Sequence, residues 1–233
     1  LRADTAQAAE PAKSVMTECK VSNKKLAKAV KAVAKKVNQK AQSASYSYSK
    51  KKGTLVAKKA HKGIKLKEKA TLKALQNALE DTAQDYEVEA SVEETKPKTA
   101  KAGQAIFVDT STCHLYLFEN GKQVIDWPCS PGQAGYETPI GDWYLDYKDP
   151  SPTWYNPHVA WSADMPDVWP PGYDNPLGVR ALAVSCGDGI FIHGTINLAA
   201  LGSRDSHGCV RLSNENIVKL YNRVSVGIPI IIR

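Results

Sequence analysis

An α+β module followed by a mainly β domain is the architecture the sequence predicts, and three observations carry that reading. Charge is divided: through Gly103 there are 23 Lys and Arg against 11 Asp and Glu, and from Gln104 onward 8 against 13, so the net charge of +7 joins a basic half to an acidic one. All five Trp and all three Phe fall after residue 106. Apolar spacing changes too, from alternating helical and strand-like segments to a nearly continuous run of strand patterns. A chain of 233 residues is long enough for two modest domains, each with its own core. The charged Pro/Gly-containing stretch EETKPKTAKAG (93–103) is the natural linker, leaving domains at 1–92 and 104–233.

In the first half, Leu26, Val30, Val33 and Val37 recur at spacings of three and four within 23–42 and predict a helix with one apolar stripe and a lysine-covered face. Residues 45–60 alternate around a Lys-Gly turn, a strand pair. Helical spacing returns through Leu72, Leu75 and Leu79 in 65–83, and 85–94 alternates as a strand. The order helix, hairpin, helix, strand defines the α+β module. His61 and Cys19 are isolated there and are read as structural.

In the second half, 104–110 is a short apolar strand, and 114–128 a hairpin whose Asn120-Gly121 pair supplies the two positive φ angles of a type I′ turn. Further strands are predicted at 138–148, 189–195 and 227–233. A helix over 213–224 carries Ser213 as N-cap and Ile217, Leu220, Tyr221 and Val224 on one side. Between strands runs a long proline-rich loop, 149–178, with three of the five tryptophans. Ordered loops of that length usually form a lid or substrate wall.

Composition excludes some functions. No run of eighteen apolar residues occurs, so no transmembrane helix is predicted. The chain starts at Leu1 rather than Met, and a signal or membrane anchor upstream is the expectation. The basic residues of the first half are nearly all Lys, without a zinc-finger, homeodomain or RNA-binding signature, so no nucleic-acid partner is expected. An anionic wall polymer or lipid surface suits the same charge.

The chemistry concentrates in SRDSHGCVRL (203–212) and in His193, which ends an apolar strand sixteen residues before Cys209. A thiol ionises near pH 8.5 when unperturbed, so nucleophilic work at neutral pH needs a base or cation beside it. An imidazole at the end of a rigid strand supplies a fixed base. Gly208 lets the backbone bend, and amides beside Cys209 can face a developing oxyanion. Three other lives for Cys209 stand beside the nucleophile: a small core side chain, half of a disulfide, or a zinc ligand with His193 and His207. The zinc reading lacks a fourth ligand and a familiar spacing.

HGT (193–195) followed by SHGCVRL (206–212) resembles the signature of the L,D-transpeptidase (YkuD-type) catalytic domain. IFVDTSTCHLYLFENGKQV, SPGQAGYETPIGDWYL and NPLGVRAL (175–182) precede it in the family's order, so the resemblance covers residues 104–233. It implies a mainly β, sandwich-like catalytic domain with a short helix after the nucleophile. It also implies that Cys209 attacks the carbonyl of the third residue, a diamino acid, in a peptidoglycan tetrapeptide. D-alanine then leaves, a thioester acyl-enzyme forms, and an amine of an acceptor stem resolves it into a 3→3 cross-link. His193 matches the general base, oriented by a nearby backbone carbonyl. His207 is a further catalytic-motif residue, and the Gly208 and Cys209 amides match the oxyanion hole. Ser206, Arg211, Gly194 and Thr195 fall in substrate-binding motif positions, although many members carry Asn where Arg211 stands. Tyr173 and Trp169 are the loop residues expected at the substrate. The expected partners are donor tetrapeptide and acceptor stems, with no cofactor and no metal, in an extracytoplasmic setting facing a bacterial wall. Carbapenem acylation of Cys209 is a further implication. KGIKLKEKATLKALQNAL resembles the peptidoglycan-binding domains found ahead of such catalytic domains, and a spacer role fits residues 1–92 equally.

The remaining cysteines, Cys19, Cys113, Cys129 and Cys186, suit an oxidising compartment. With register set by the 120–121 turn, residue 113 lies opposite 128, which brings Cys113 and Cys129 close but on opposite faces; Cys186 with either is a further option, and no pairing is assigned.

Overall fold

The computed structural model describes residues 22–80, 87–187 and 189–233. In chain order its elements begin with α1 (Asn23–Val37), β1 (Ser45–Ser49), β2 (Thr54–Lys58), β3 (Gly63–Leu66), α2 (Glu68–Glu80) and β4 (Val92–Thr95). There follow β5 (Gln104–Asp109), β6 (His114–Glu119), β7 (Lys122–Pro128), β8 (Gly141–Asp149), β9 (Trp154–Tyr155) and β10 (Val168–Trp169). The last are β11 (Ala181–Val184), β12 (Phe191–Thr195), β13 (Val210–Ser213), α3 (Asn214–Arg223) and β14 (Pro229–Ile232).

These elements pack as two units that are interleaved in sequence. One comprises the described residues of Leu1–Lys40 and Gly63–Thr95; the other comprises Ala41–Lys62 and Lys96–Arg233. Within the first, α1 and α2 enclose a small core of Val30, Ala34 and Leu66, with Leu72 and Leu75 against it, beside the β3–β4 pair. The α1 stripe departs from expectation. Val30 and Ala34 are buried, while Val33 and Val37 are 46% and 39% exposed. The helix therefore turns its small alanine inward, and the valines at either side stay at the rim. The strand expected over 85–94 is confined to Val92–Thr95; Asp85 and Tyr86 lie outside the described residues, as does Cys19.

The β1–β2 hairpin belongs to the second unit by packing. Leu55 joins Ala105, Phe107, Phe118 and Ile231 in one apolar cluster, with Tyr46 and Tyr48 at its edge. Tyr46 Oη donates to the Gly103 carbonyl and accepts from the Gly121 amide (2.8 Å), which pins the hairpin beside the β6–β7 turn.

The second unit is built on eight strands in the order β13-β12-β11-β8-β14-β5-β6-β7, with β12–β13 and β5–β14 parallel and the other pairs antiparallel. Its two edges meet. Ser130, two residues beyond β7, exchanges two 2.9 Å backbone hydrogen bonds with Arg211 of β13, giving the sheet a barrel-like closure. Leu115, Leu117, Leu145, Leu182, Ile192, Leu212, Ile230 and Ile232 fill the interior, together with Ile217 and Leu220 from α3. Ser213 caps α3 by accepting from the Asn216 amide. The β6–β7 turn holds Asn120 at φ 50° and Gly121 at φ 85°, as the Asn-Gly pair requires.

Candidate active site

Parallel pairing of β12 with β13 sets His193 level with Arg211, and Cys209 stands at the bend just before β13. Residues two apart on a strand share a face. The catalytic cysteine and histidine candidates thus lie on one face of two adjacent strands, two register positions apart, and the opposite faces bury Ile192, Val210 and Leu212.

The bend itself is held from several directions. Buried Ser206 donates its hydroxyl to the Cys209 carbonyl and accepts from the Gly208 amide at 3.2 Å. Thr138 donates to the Gly208 carbonyl and accepts from the Gly132 amide, both at 2.8 Å. Gly208 sits at φ 112°, a backbone conformation open to glycine, and a Cβ there would press on Ile190 at 3.0 Å. Of the two expected oxyanion donors, the Gly208 amide is engaged by Ser206 in this structure.

The Cys209 sulfur accepts from the Phe191 amide at 3.4 Å, with the Gly189 carbonyl at 3.9 Å. Burial pushes its pKa above the ordinary value; the Phe191 amide and the Arg211 guanidinium pull it back, and Cys186 adds to the rise. His193 is 3% exposed and directs Nδ1 at the Gly194 carbonyl, 2.8 Å away. That bond requires the proton on Nδ1, so Nε2 is left as the basic nitrogen. Burial above all, with Arg211 adding to it and the Gly194 and Leu177 carbonyls opposing, brings the His193 pKa down to about 4. At neutral pH both partners therefore rest uncharged.

Arg211 pairs with Asp205 at 3.0 Å, and its field reaches Cys209, His193 and His207. His207 is packed between aromatics rather than poised as a base. Trp161 stacks on it at 4.2 Å between centroids and 9° between planes, and Tyr136 meets it edge-on at 4.8 Å. Desolvation lowers its pKa, Arg211 lowers it further and Asp205 opposes.

The loop 149–178 is a built wall. Asn156 donates to the carbonyls of Ser162 and Met165, and its oxygen accepts from the His158 amide and the Ser162 hydroxyl. Asn175 donates to Pro152, Trp169 and Pro170 and accepts from the Leu177 amide. Asn214, at the start of α3, accepts from the Val179 amide and donates to the Tyr173 carbonyl. All three asparagines are buried. This network puts Trp161 at the site. Tyr173, 69% exposed, lies with Val179, Asn214, Val218 and Lys219 beside α3, at the other end of β13 from Cys209. Trp169 pairs with Trp154 across β9–β10. Trp161, Tyr136, Thr138 and the three asparagines are thus site residues that spacing alone did not single out.

Gly194 and Thr195 are tied into the scaffold. A Cβ on Gly194 would fall 2.1 Å from Asn214 Oδ1 and 3.0 Å from Ile217, and Thr195 Oγ1 accepts from the Asn197 amide. Gly194→Ala should displace Asn214 from Val179 and lower stability by about 1–3 kcal/mol, read by urea unfolding. An unchanged midpoint would show that the contact is not tight.

Acid sensitivity follows from His193. Its folded pKa of about 4 lies below the 6.5 of an ordinary histidine, so the unfolded chain binds the extra proton first. Stability is full above pH 6.5 and drains as pH falls toward 4, by about 3 kcal/mol from this group. Thermal unfolding of the wild type should show that decline, and His193→Gln should lose most of it; equal slopes would contradict the burial argument.

The family described as "L,D-transpeptidase catalytic domain" matches residues 103–232, and that described as "Putative peptidoglycan binding domain" matches 3–87. The chain belongs to the L,D-transpeptidase catalytic-domain family. It is 38% identical over 140 residues to "Probable L,D-transpeptidase YbiS" of Escherichia coli K12, and 33% identical over 140 residues to "Probable L,D-transpeptidase ErfK/SrfK" of the same strain. Each match covers 56% of this chain and 44% of the relative, so the chain spans less than half of these proteins' length. Among solved structures, the Ldtfm–avibactam carbamoyl enzyme has a TM-score of 0.50 at 19% identity, covering 91% of this chain and 81% of that one. An Enterococcus faecium L,D-transpeptidase mutant gives 0.50 at 18%, covering 91% and 82%. The fold is shared with both.

Proposed function

We propose that the chain is a peptidoglycan L,D-transpeptidase that works through a thioester on Cys209. The observation that carries this reading is the fixed tautomer of His193 on the strand that pairs with the one following Cys209: Nδ1 is tied to Gly194, so Nε2 is left to accept the Cys209 proton. As sulfur attacks the carbonyl of the third stem residue, His193 takes that proton, and the Cys209 amide faces the oxyanion. An imidazolium held in a buried site next to Arg211 is a strong acid, so it readily protonates the departing D-alanine nitrogen. The acceptor amine then returns a proton to Nε2 as it attacks the thioester; the Cys209 thiolate leaves and a 3→3 cross-link results. Water in place of the amine gives L,D-carboxypeptidase trimming.

Trp161, Tyr136 and His207 form the aromatic side of the donor site in this reading, and Arg211 lowers the cost of the thiolate as it leaves. Peptidoglycan stems are the substrates, and an extracytoplasmic place facing a bacterial wall is where they are met. The lysine-rich face of α1 suits anionic wall polymer, in keeping with the family matched over 3–87. Incubation with disaccharide-tetrapeptide tests the proposal: free D-alanine with a cross-linked dimer is expected, analysed by liquid chromatography and mass spectrometry. D-alanine with tripeptide alone would favour trimming, and an unconsumed substrate would refute both.

A further inference from the structure

We propose that Cys113 and Cys129 form a disulfide that staples β6 to the strand closing the sheet onto the catalytic strand. Around the Asn120-Gly121 turn, Phe118 pairs with Gln123, but Leu117 pairs with Ile125, so a bulge moves the register by one. His114 then faces Pro128, and the next positions outward are the two cysteines, with the Cys129 amide donating to the Cys113 carbonyl at 2.8 Å. This overturns the register set by the turn alone, in which 113 and 129 face opposite ways. Both side chains point inward: Cys129 is fully buried in the main core and Cys113 is 5% exposed. Directly opposed antiparallel residues have Cα atoms about 4.5–5.5 Å apart, inside the span a disulfide bridges.

Two further observations agree. Cys113 sits at φ 57°, in the left-handed region that favours Gly or Asn over Cys. Burial pushes the Cys129 thiol strongly up and Cys113 pushes it further, so the two sulfurs feel each other. In the present state both are thiols.

The bond forms by exchange with an oxidised dithiol, a small-molecule or protein disulfide. The Cys113 thiolate attacks one of its sulfurs and expels a thiolate; the Cys129 thiolate then attacks Cys113 Sγ and expels the second. Two S–H bonds become one S–S bond, and the carrier takes up two electrons and two protons. Since Cys129 is inaccessible once folded, the exchange belongs to folding. Only the compartment that supplies the oxidant rests on the proposed wall function. The staple bears on the site because Cys129 O accepts from the Gly202 amide (3.0 Å) and its neighbour Ser130 pairs with Arg211.

To test this, the full chain is refolded with oxidised glutathione, then denatured in N-ethylmaleimide. Three of the five cysteines should label, and five after reduction. Trypsin cuts at Lys122, between the two, so an unreduced digest should join the peptides carrying Cys113 and Cys129. Reduction should lower the wild-type Tm by about 5–10 °C and leave the Cys113→Ser, Cys129→Val double variant unmoved. Maleimide on both Cys113 and Cys129, or a cross-link mapped to Cys186 and Cys209 instead, would overturn the proposal. If the double variant fails to fold, the wild-type peptide map decides alone. D-alanine release is assayed separately, so its failure leaves the disulfide result intact.

Discussion

Cys209→Ala is expected to cut D-alanine release from a disaccharide-tetrapeptide by about 10⁴-fold or more, the scale seen when a covalent nucleophile is removed from a site that acts as a unit. The fold should survive. Cys209 lies at a bend fixed by Ser206, Thr138 and Gly208, and its side chain adds one 3.4 Å contact from the Phe191 amide to that scaffold. Residual turnover above about 1% of wild type, with an unchanged circular dichroism spectrum, would mean that another group attacks the carbonyl.

His193→Gln should lower kcat by about 10²–10⁴-fold, the usual worth of a positioned base, with KM much less affected. The resting pair is neutral, because burial raises the thiol and lowers the imidazole. Proton transfer must therefore accompany attack on substrate instead of preceding it as a standing ion pair. Iodoacetamide separates the two cases. Cys209 alkylation in the wild type should be slow at pH 7 and climb above pH 9, and His193→Gln should follow nearly the same curve. A wild-type plateau of reactivity near pH 6, lost in the variant, would reveal a preformed thiolate–imidazolium pair and refute this part of the mechanism. His207→Gln gives the complementary control: its ring lies between Trp161 and Tyr136, so its loss should act through the wall of the site and spare the pH profile of alkylation.

What the sequence made legible was local. The Asn120-Gly121 turn, the apolar run of β5, the β-rich flanks of the turn and the Ser213 cap each rest on neighbours in the chain, and all recur in the structure as hairpin, strands and helix start, whereas β13 and its parallel pairing with β12 were not legible. The bulge between Leu117 and Phe118 has no such signature, and it alone turned Cys113 toward Cys129. Packing of the β1–β2 hairpin is equally non-local: alternation marks it as a strand pair, but only the cluster of Leu55 with Phe107 and Phe118 says which core it covers.

The wall of the site was the least legible part. Three tryptophans in 149–178 announced an aromatic loop, yet which one meets the active site depends on Asn156, Asn175 and Asn214. Their amide groups hold backbone carbonyls and amides drawn from up to 41 residues away. A buried asparagine looks like a surface residue in a sequence. Its positions beside Pro157 and Pro176, where freed carbonyls need donors, were the available clue. Arg211 shows the converse. Its place in the motif suggested substrate binding, and its pairing with Asp205 and its field on Cys209 could not be read from spacing.

The proposed transpeptidation requires a covalent bond between Cys209 and the donor stem. The most direct measurement is to quench the full chain with acid during turnover of disaccharide-tetrapeptide, digest it, and locate the added mass by tandem mass spectrometry. The expected result is a donor acyl group, lacking D-alanine, on the peptide that carries Cys209, labile to hydroxylamine as a thioester should be and missing from Cys209→Ala. D-alanine released at full rate with no adduct on Cys209, or an adduct mapped to Cys186, would contradict it.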